Sequence, residues 1–244
     1  LSKAARGYHL AQGNNERPVT RLAVLPGAAK ASVEQGLEAA LESALAHWLY
    51  HDEIWLRGNA KAKAEILLAI ARVRHALVLF GGIVPRKATT HLRALLNDAD
   101  AVLLAADTAD EALFRTEVVG AKLALTEWLV QRGWRPFINE AGEKKIAGSF
   151  KRFADIHLSR VAAELRSAVQ HLAVEDAADQ LPKLSRNIDS VQLLAGAYGD
   201  AVAPWLENWQ ELQRAIEHDD RSVFEYFRRQ ALAAEPFWLH SGKR

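Results

Sequence analysis

The sequence predicts an all-α protein built from two successive sets of four helices. Three observations lead to this fold class. Apolar residues recur at helical spacing from Ser32 onward, capping residues precede the periodic segments, and glycines and prolines separate them. Long helices joined by short loops are typical of antiparallel bundles. An alternating pattern that would suit a strand occurs only at residues 20 to 25.

Four helices are predicted in the first half. Ser32 and Gln35 form a capping box for the first helix. Its apolar stripe consists of Leu37, Leu41, Leu45, Trp48 and Trp55. Gly58 and Asn59 end this helix, and the second covers about residues 60 to 80. A third follows with the stripe Leu92, Leu95, Leu96, Ala99 and Val102. The fourth is predicted at about residues 110 to 131.

Four more helices are predicted after a long break that contains Gly133, Pro136 and residues 139 to 148. Ser149 caps the fifth helix. Its stripe consists of Phe150, Ala154, Leu158, Val161, Leu165, Ala168 and Leu172. The last three helices are predicted at about residues 176 to 197, 202 to 217 and 220 to 234.

The composition indicates a soluble globular protein. The chain has 244 residues, of which 50% are hydrophobic and 25% charged. It has no apolar run long enough for a membrane helix and no export leader, so we expect a cytoplasmic protein. The absence of cysteine excludes disulfides and thiol catalysis. Because the chain begins at Leu1 and has no methionine, we expect a fragment of a longer protein.

Positive charge is concentrated in two stretches, although the formal net charge is only +1. Residues 66 to 97 contain five Lys or Arg and no Asp or Glu. Residues 144 to 171 contain six Lys or Arg against Asp155 and Glu164. Such patches attract extended anions such as phosphate chains. The alternative is that these residues lie on solvated helix faces without a ligand.

Helical spacing groups some of these basic residues. Arg72 and His75 are three residues apart and share one face of the second helix, whereas Arg74 points away from Arg72. Lys87 and His91 pair at a spacing of four on the third helix. We expect these groups to line a groove between the two halves.

Other histidines offer weaker signals. His47 and His51 have the spacing of two metal ligands on one helix, but no third ligand is evident, so we predict no metal site. His157 lies in the apolar stripe of the fifth helix, and we interpret it as a hydrogen-bonded core histidine. No dinucleotide-binding glycine motif, P-loop or serine elbow occurs, so no catalytic residue is predicted.

Several segments together resemble a known family. They include "RVRHALVLFGGIVPRKATTHLRALLNDADAVLLA", "SFKRFADIHLSRVAAEL" and "EPFWLHSGKR". The chain resembles the CHAD domain, the conserved histidine α-helical domain, of bacterial inorganic triphosphatases that join it to a CYTH domain. The resemblance implies that residues 1 to 13 end the CYTH domain and that residues 14 to 31 form a linker. Residues 32 to 244 then form the CHAD domain, with halves at about residues 32 to 135 and 149 to 244.

The resemblance also implies an architecture and a ligand. CHAD domains consist of two four-helix bundles related by a pseudo-twofold, and their basic central surface generally binds inorganic polyphosphate. The Glu-x-Glu-x-Lys motif of CYTH enzymes is absent from these residues. We therefore expect this fragment to be no enzyme and to hold no cofactor. The divalent metal that triphosphate hydrolysis needs would belong to the missing CYTH domain.

The chain departs from the CHAD motifs at several basic positions. The first motif reads roughly His-x-x-Arg-Val-x-x-Arg-Arg-Leu-Arg, and it places Ala64, Leu67 and Ala71 where the family has His, Arg and Arg. Arg72 remains. In the second repeat Pro182 stands in place of a histidine. Weak polyphosphate binding is therefore expected.

The sequence thus predicts a non-catalytic accessory domain that binds polyphosphate or a similar polyanion weakly. The predicted ligands are Arg72, His75, Lys87, His91, Lys151, Arg152, Arg160, Lys183 and Arg186. The expected partners are such a polyanion and the CYTH domain of the same chain. A membrane is not expected, and nucleic acid has no recognised binding motif here. The alternative is a structural module that packs on the CYTH domain or mediates dimerisation.

Overall fold

The computed structural model describes residues 17–22, 30–84, 86–131 and 148–239. Helices account for 81% of these residues, and no β-strand occurs among them. The all-α prediction is confirmed. Residues 20 to 22 are not part of a strand, and the rest of the predicted strand, to residue 25, lies outside the described residues. The predicted CYTH remnant and most of the long break also lie outside them.

The first half contains four long helices and one short helix. They are α1 (Val33–Leu56), α2 (Ala62–Leu79), α3 (Arg86–Ala105), α4 (Ala109–Ala112) and α5 (Thr116–Gln131). Helix α1 packs on α2, α2 on α3 and α3 on α5, and α5 also contacts α1. The four long helices therefore surround a common core of aliphatic and tryptophan side chains.

The predicted fourth helix is divided in the structure. Thr108 and Glu111 form a capping box that starts α4 before the predicted boundary. Ala112 and Leu113 are buried at the end of α4, and α5 begins only at Thr116. The break between α4 and α5 leaves Ala112 and Leu113 in the core. The apolar periodicity of the sequence does not predict this break.

The second half contains α6 (Phe150–Val169), α7 (Ala177–Leu194), α8 (Ala203–Glu217) and α9 (Arg221–Ala233). Short 3-10 turns precede α7 and α8 and follow α9. Helix α6 packs on α7, α7 on α8 and α8 on α9, and α9 contacts α6. These helices match the predicted ones to within a few residues. The pseudo-twofold between the halves stays a prediction.

The two halves meet at the starts of α1 and α6. Ser32 and Ser149 cap these helices and form an isolated antiparallel bridge with each other. The backbone N–H of Phe150 donates to the carbonyl of Ala31 at 2.9 Å. Further contacts join α1 to α6 and α2 to α7. The halves are therefore held together at more than one place.

The Phe150 ring fills the space beside Gly36 of α1. A Cβ atom built on Gly36 would lie 2.7 Å from Cδ2 of this ring. On its other side Phe80 stacks on Phe150 at a centroid distance of 6.1 Å and on Phe153 at 4.9 Å. Gly36 is needed here for close approach, because any larger residue would displace a buried ring.

We expect Gly36→Ala to lower the free energy of unfolding by about 1 to 3 kcal/mol, because the new methyl overlaps a buried ring. Urea unfolding followed by circular dichroism measures this change. Gly120→Ala in α5 is the matched control, since the nearest atom to its new Cβ is Leu95 Cδ2 at 3.8 Å. The control should stabilise by about 0.5 to 1 kcal/mol through helix propensity. Equal effects of the two substitutions would contradict the close approach.

Candidate functional site

A buried arginine links α2 to α7. The Arg72 side chain is only 2% exposed. Its Nε donates to Asp189 and its Nη2 to Gln192, both on α7. Removing a charged group from water is costly unless a counter-charge and hydrogen bonds replace the solvent. Asp189 and Gln192 supply both, so Arg72 acts as a polar lock between the two halves.

His75 joins the same cluster from the next turn of α2. Its Nδ1 lies 3.3 Å from Oδ2 of Asp189, and its Nε2 lies 2.7 Å from the hydroxyl of Ser190. Burial lowers the pKa of His75, and the nearby Asp189 carboxylate partly offsets this effect. A neutral ring that donates from Nδ1 to Asp189 can accept at Nε2 from Ser190, whose single hydroxyl proton has the carbonyl of Arg186, at 3.1 Å, as its other acceptor. The predicted shared face of Arg72 and His75 is thus observed.

The order Ser190, His75, Asp189 is that of a nucleophile relay, but the surroundings do not suit catalysis. Ser190 is buried inside α7. The backbone N–H groups of a helix interior are already hydrogen-bonded, so they cannot form an oxyanion hole. Arg72 also competes with His75 for the Asp189 carboxylate. The cluster is therefore suited to holding two helices together.

A cavity of about 560 Å³ opens beside this cluster, between α2 and α7. Arg74, Arg186, His75 and Asp189 provide its polar groups. The remaining lining is largely apolar and comes from Leu68, Ala71, Val78 and Ser185. Arg74 is paired with Asp100 at 2.9 Å, whereas Arg186 is exposed and makes no ion pair within the described residues. Arg186 is thus the cation best placed to meet a ligand here.

A second cavity, of about 300 Å³, lies at the junction of the halves. Its lining includes Leu79, Arg152 and His157. Val78 lines the first cavity and Leu79 the second, so both cavities border the last turn of α2. The Arg152 side chain is exposed at the start of α6. A chain-like ligand that lies across this turn would meet Arg186 in one cavity and Arg152 in the other.

His157 differs from its predicted role. It is only half-buried, and it packs on Phe153 at a ring centroid distance of 4.2 Å. Its Nδ1 is buried and has no hydrogen-bond partner within the described part of the chain. Burial lowers its pKa, and Arg160 acts in the same direction. The expected hydrogen-bonded core histidine is therefore not observed.

The other predicted ligands are distributed over several surfaces. Lys87 and His91 are exposed on α3. Lys183 and His171 line a third cavity. Two acidic residues at the start of α7, Asp176 and Asp179, line the same cavity. The structure therefore does not bring all nine predicted residues into one site.

Two predicted cations are paired with acidic neighbours on their own helix. Lys151 lies 3.3 Å from Asp155, and its Nζ also sits 4.9 Å from the centre of the Tyr198 ring. Arg160 lies 3.8 Å from Glu164. Such one-turn pairs on a helix surface are weak, so a phosphate can displace them.

The partners on α7 were missed by the sequence analysis. Asp189 is 117 residues from Arg72, and Gln192 is 120 residues from it. The sequence does show that Asp189 and Gln192 are three residues apart, a spacing that places both on one face of a helix. That spacing does not tell which residue of the other half they meet.

Comparison with known proteins identifies the family. The sequence matches the CHAD domain over residues 39–229, from within α1 to within α9. The chain belongs to the CHAD family. In fold it is similar to the crystal structure of the CHAD domain from the plant Ricinus communis, with a TM-score of 0.61. That comparison covers 92% of this chain and 89% of the plant chain at 16% sequence identity. At that identity the likeness concerns the fold.

The buried contact between Arg72 and Asp189 in this CHAD domain predicts a large loss of stability when the charge of Asp189 is removed. We expect Asp189→Asn to lower the free energy of unfolding by about 3 kcal/mol, because it leaves the buried Arg72 without a counter-charge. Urea unfolding measures the change. Asp155→Asn is the control, since its pair with Lys151 is partly exposed and should contribute under about 1 kcal/mol. A small effect for both variants would show that Arg72 is not held by charge.

The histidines of this CHAD domain predict loss of stability in acid. Burial lowers the pKa of His75 and of His157 below the ordinary value of 6.5. The unfolded chain then binds protons at a higher pH than the folded chain, so their contribution to stability is complete above pH 6.5. It is lost as the pH falls from 6.5 through the folded pKa values. The melting temperature should therefore fall between pH 7.5 and pH 5.5.

His75→Gln should reduce this pH dependence, because glutamine keeps a polar side chain without titrating. His218→Ala, at an exposed position, should leave it as in the parent chain. A melting temperature that is constant or rises toward pH 5.5 would contradict the prediction.

Proposed function

We propose that this CHAD domain is a non-catalytic module that binds inorganic polyphosphate, or a polyanion of the same kind, on the basic residues around α2. The observation that carries the proposal is a set of exposed basic side chains that make no ion pair within the described residues. They are Lys87, His91, Arg152, Lys183 and Arg186. Basic side chains that are not committed to an ion pair keep their donors available for phosphate oxygens.

The arrangement of the cavities supports a chain-like ligand. Arg186 and Arg152 line two different cavities that both border the last turn of α2. A compact anion would contact one of them, whereas a polymer of phosphate can contact both. Arginine suits this role because its planar guanidinium can donate two hydrogen bonds to one phosphate.

Arg72 is predicted from the sequence to bind the polyanion, but the structure gives it other partners. Its donors are committed to Asp189 and Gln192, so an anion could reach it only if those bonds broke. We therefore assign Arg72 to holding α2 against α7, and Arg186 to direct ligand contact. The few remaining contacts suit micromolar rather than nanomolar affinity.

The wider role is part of the same proposal. On the resemblance stated above, the domain accompanies the CYTH domain of a cytoplasmic inorganic triphosphatase and does not itself hydrolyse triphosphate. The relay of Ser190, His75 and Asp189 supports no hydrolysis because the serine is buried within a helix. No helix among the described residues is long and apolar enough to cross a membrane.

A second candidate function is a structural module that docks on another domain or on a second copy. Exposed apolar residues on α5 favour it. Val119, Leu123 and Val130 follow one face of this helix, and Phe114 lies just before it. Such a stripe is a common feature of interaction surfaces. This function would need no ligand on the basic residues.

Polyphosphate titration tests the first function. We expect long-chain polyphosphate to bind the 244-residue chain with micromolar affinity at 50 mM salt, measured by isothermal titration calorimetry. Raising the salt to 200 mM should weaken binding at least tenfold, because phosphate contacts act largely through charge. Arg152→Ala combined with Arg186→Ala should also weaken it about tenfold, which corresponds to about 1.4 kcal/mol.

The control is a second double variant with the same loss of charge. Arg115→Ala and Arg229→Ala remove two exposed arginines that are paired with Glu117 and Glu225. This variant should keep at least half of the affinity. No binding at low salt, or equal weakening by the two double variants, would contradict a site around α2 and favour the structural function.

A further inference from the structure

Two histidines and one glutamate meet between α1 and α2, on residues that the proposed function does not use. His47 and His51 are one turn apart on α1, and Glu65 lies in the first turn of α2. One possible ligand atom from each side chain lies within 4.8 Å of the other two. His47 Nε2 is 2.9 Å from Glu65 Oε2, and the two imidazole rings are 4.1 Å apart.

The hydrogen bonds of His51 orient its ring as a metal ligand needs. Its Nδ1 lies 2.8 Å from the backbone carbonyl of His47, so Nδ1 carries the proton and donates. The lone pair is then on Nε2. Metal-binding histidines characteristically donate their other ring N–H to a carbonyl or carboxylate, which fixes the ring. In the absence of metal, the Nε2 lone pair accepts from the backbone N–H of Thr20 at 3.2 Å.

The environment suits a bound cation. The His51 residue is fully buried, and the side chains of His47 and Glu65 are 8% and 17% exposed. Glu65 contributes one negative charge. Arg72 lies near His47, but its charge is balanced by Asp189.

We propose that His47, His51 and Glu65 bind a divalent transition-metal ion, with zinc as the preferred ion. Two imidazoles and a carboxylate form the ligand set of many zinc sites, in which water takes the fourth position. Imidazole favours zinc, copper and nickel over magnesium and calcium. Ligand atoms around zinc are about 3.4 Å apart at metal distances of about 2.0 to 2.2 Å. To bind the metal, the three side chains move together and Nε2 of His51 exchanges its Thr20 contact for the metal. Nε2 of His47 also gives up the proton that it donates to Glu65, either to solvent or by a shift of the ring to the Nδ1–H form.

No metal site is predicted here from the sequence, because no third ligand is evident near His47 and His51 along the chain. Glu65 is 18 residues from His47, and the turn between α1 and α2 separates them. A metal at this place would join α1 to α2. It would stabilise the folded chain by an amount that rises with the logarithm of the metal concentration once that concentration exceeds the dissociation constant. The site is independent of polyphosphate binding, so either proposal can fail without the other.

Zinc titration of the chain, without an affinity tag and after treatment with a chelator, tests the proposal. We expect one zinc ion per chain by isothermal titration calorimetry, with a dissociation constant of 10 µM or tighter. Zinc should also raise the melting temperature. The Co²⁺ form should show visible absorption bands of four- or five-coordinate cobalt, which a loosely bound hydrated ion does not give.

Three variants identify the ligands. Glu65→Gln and His47→Gln should each weaken zinc binding at least tenfold and remove the rise in melting temperature. Glu65→Asp keeps a carboxylate and should retain more affinity than Glu65→Gln. His171→Ala, at an exposed histidine of the second half, is the control and should bind as the parent chain does. Circular dichroism without metal confirms that each variant folds.

Two outcomes would overturn the proposal. One is zinc binding weaker than 100 µM in the parent chain. The other is unchanged binding in folded Glu65→Gln and His47→Gln, which would place the metal on surface histidines. If His47→Gln fails to fold, His47→Asn replaces it and its affinity is compared with that of His171→Ala. If Glu65→Gln fails to fold, the His47 variant decides the outcome.

Discussion

The packing of the two halves depends on how a single buried guanidinium is satisfied. Arg72 reaches across from α2 to Asp189 and Gln192 on α7 and is almost inaccessible to water. In an interior of low dielectric constant, an unpaired charge of this kind would outweigh the benefit of the surrounding apolar contacts. The relative position of α2 and α7 is therefore constrained by polar geometry. The cavity between them and the orientation of His75 follow from that constraint.

Segregation of charge in a sequence does not by itself place that charge on a surface. The stretch at residues 66 to 97, which has no Asp or Glu, is predicted to form one basic patch, yet its arginines make different contacts. Arg72 turns inward, and Arg74 pairs with Asp100. Arg93 donates to the carbonyl of Leu77 at 2.6 Å and to the hydroxyl of Thr89 at 3.0 Å. The first of these bonds satisfies a carbonyl in the last turn of α2, which has no partner within the helix. Only part of the stretch remains available to a ligand.

Features that depend on residues close together in the sequence are predicted, whereas contacts between residues far apart in the sequence are not. The helices follow from local rules, because the Ser32 capping box and the Ser149 cap act within a single turn, and apolar periodicity repeats along each helix. The partners within the sites depend on packing between helices. Neither Asp189 for Arg72 nor Glu65 for His47 is marked by spacing, since each lies on another helix. Candidate residues on one helix can be named from a sequence, but their neighbours require the fold.

The cavity beside the polar lock also explains why binding there should act through charge at its edge. Ala71, Leu68 and Val78 form an apolar part of the cavity wall, and Leu68 and Val78 are 43% and 67% exposed. An apolar wall offers no donor to phosphate, so the donors must come from residues at the rim, above all Arg186. Rim cations keep much of their hydration and are screened by salt, whereas buried donors are not. A polyanion bound in this way gains from the number of contacts along its chain more than from the strength of any one of them.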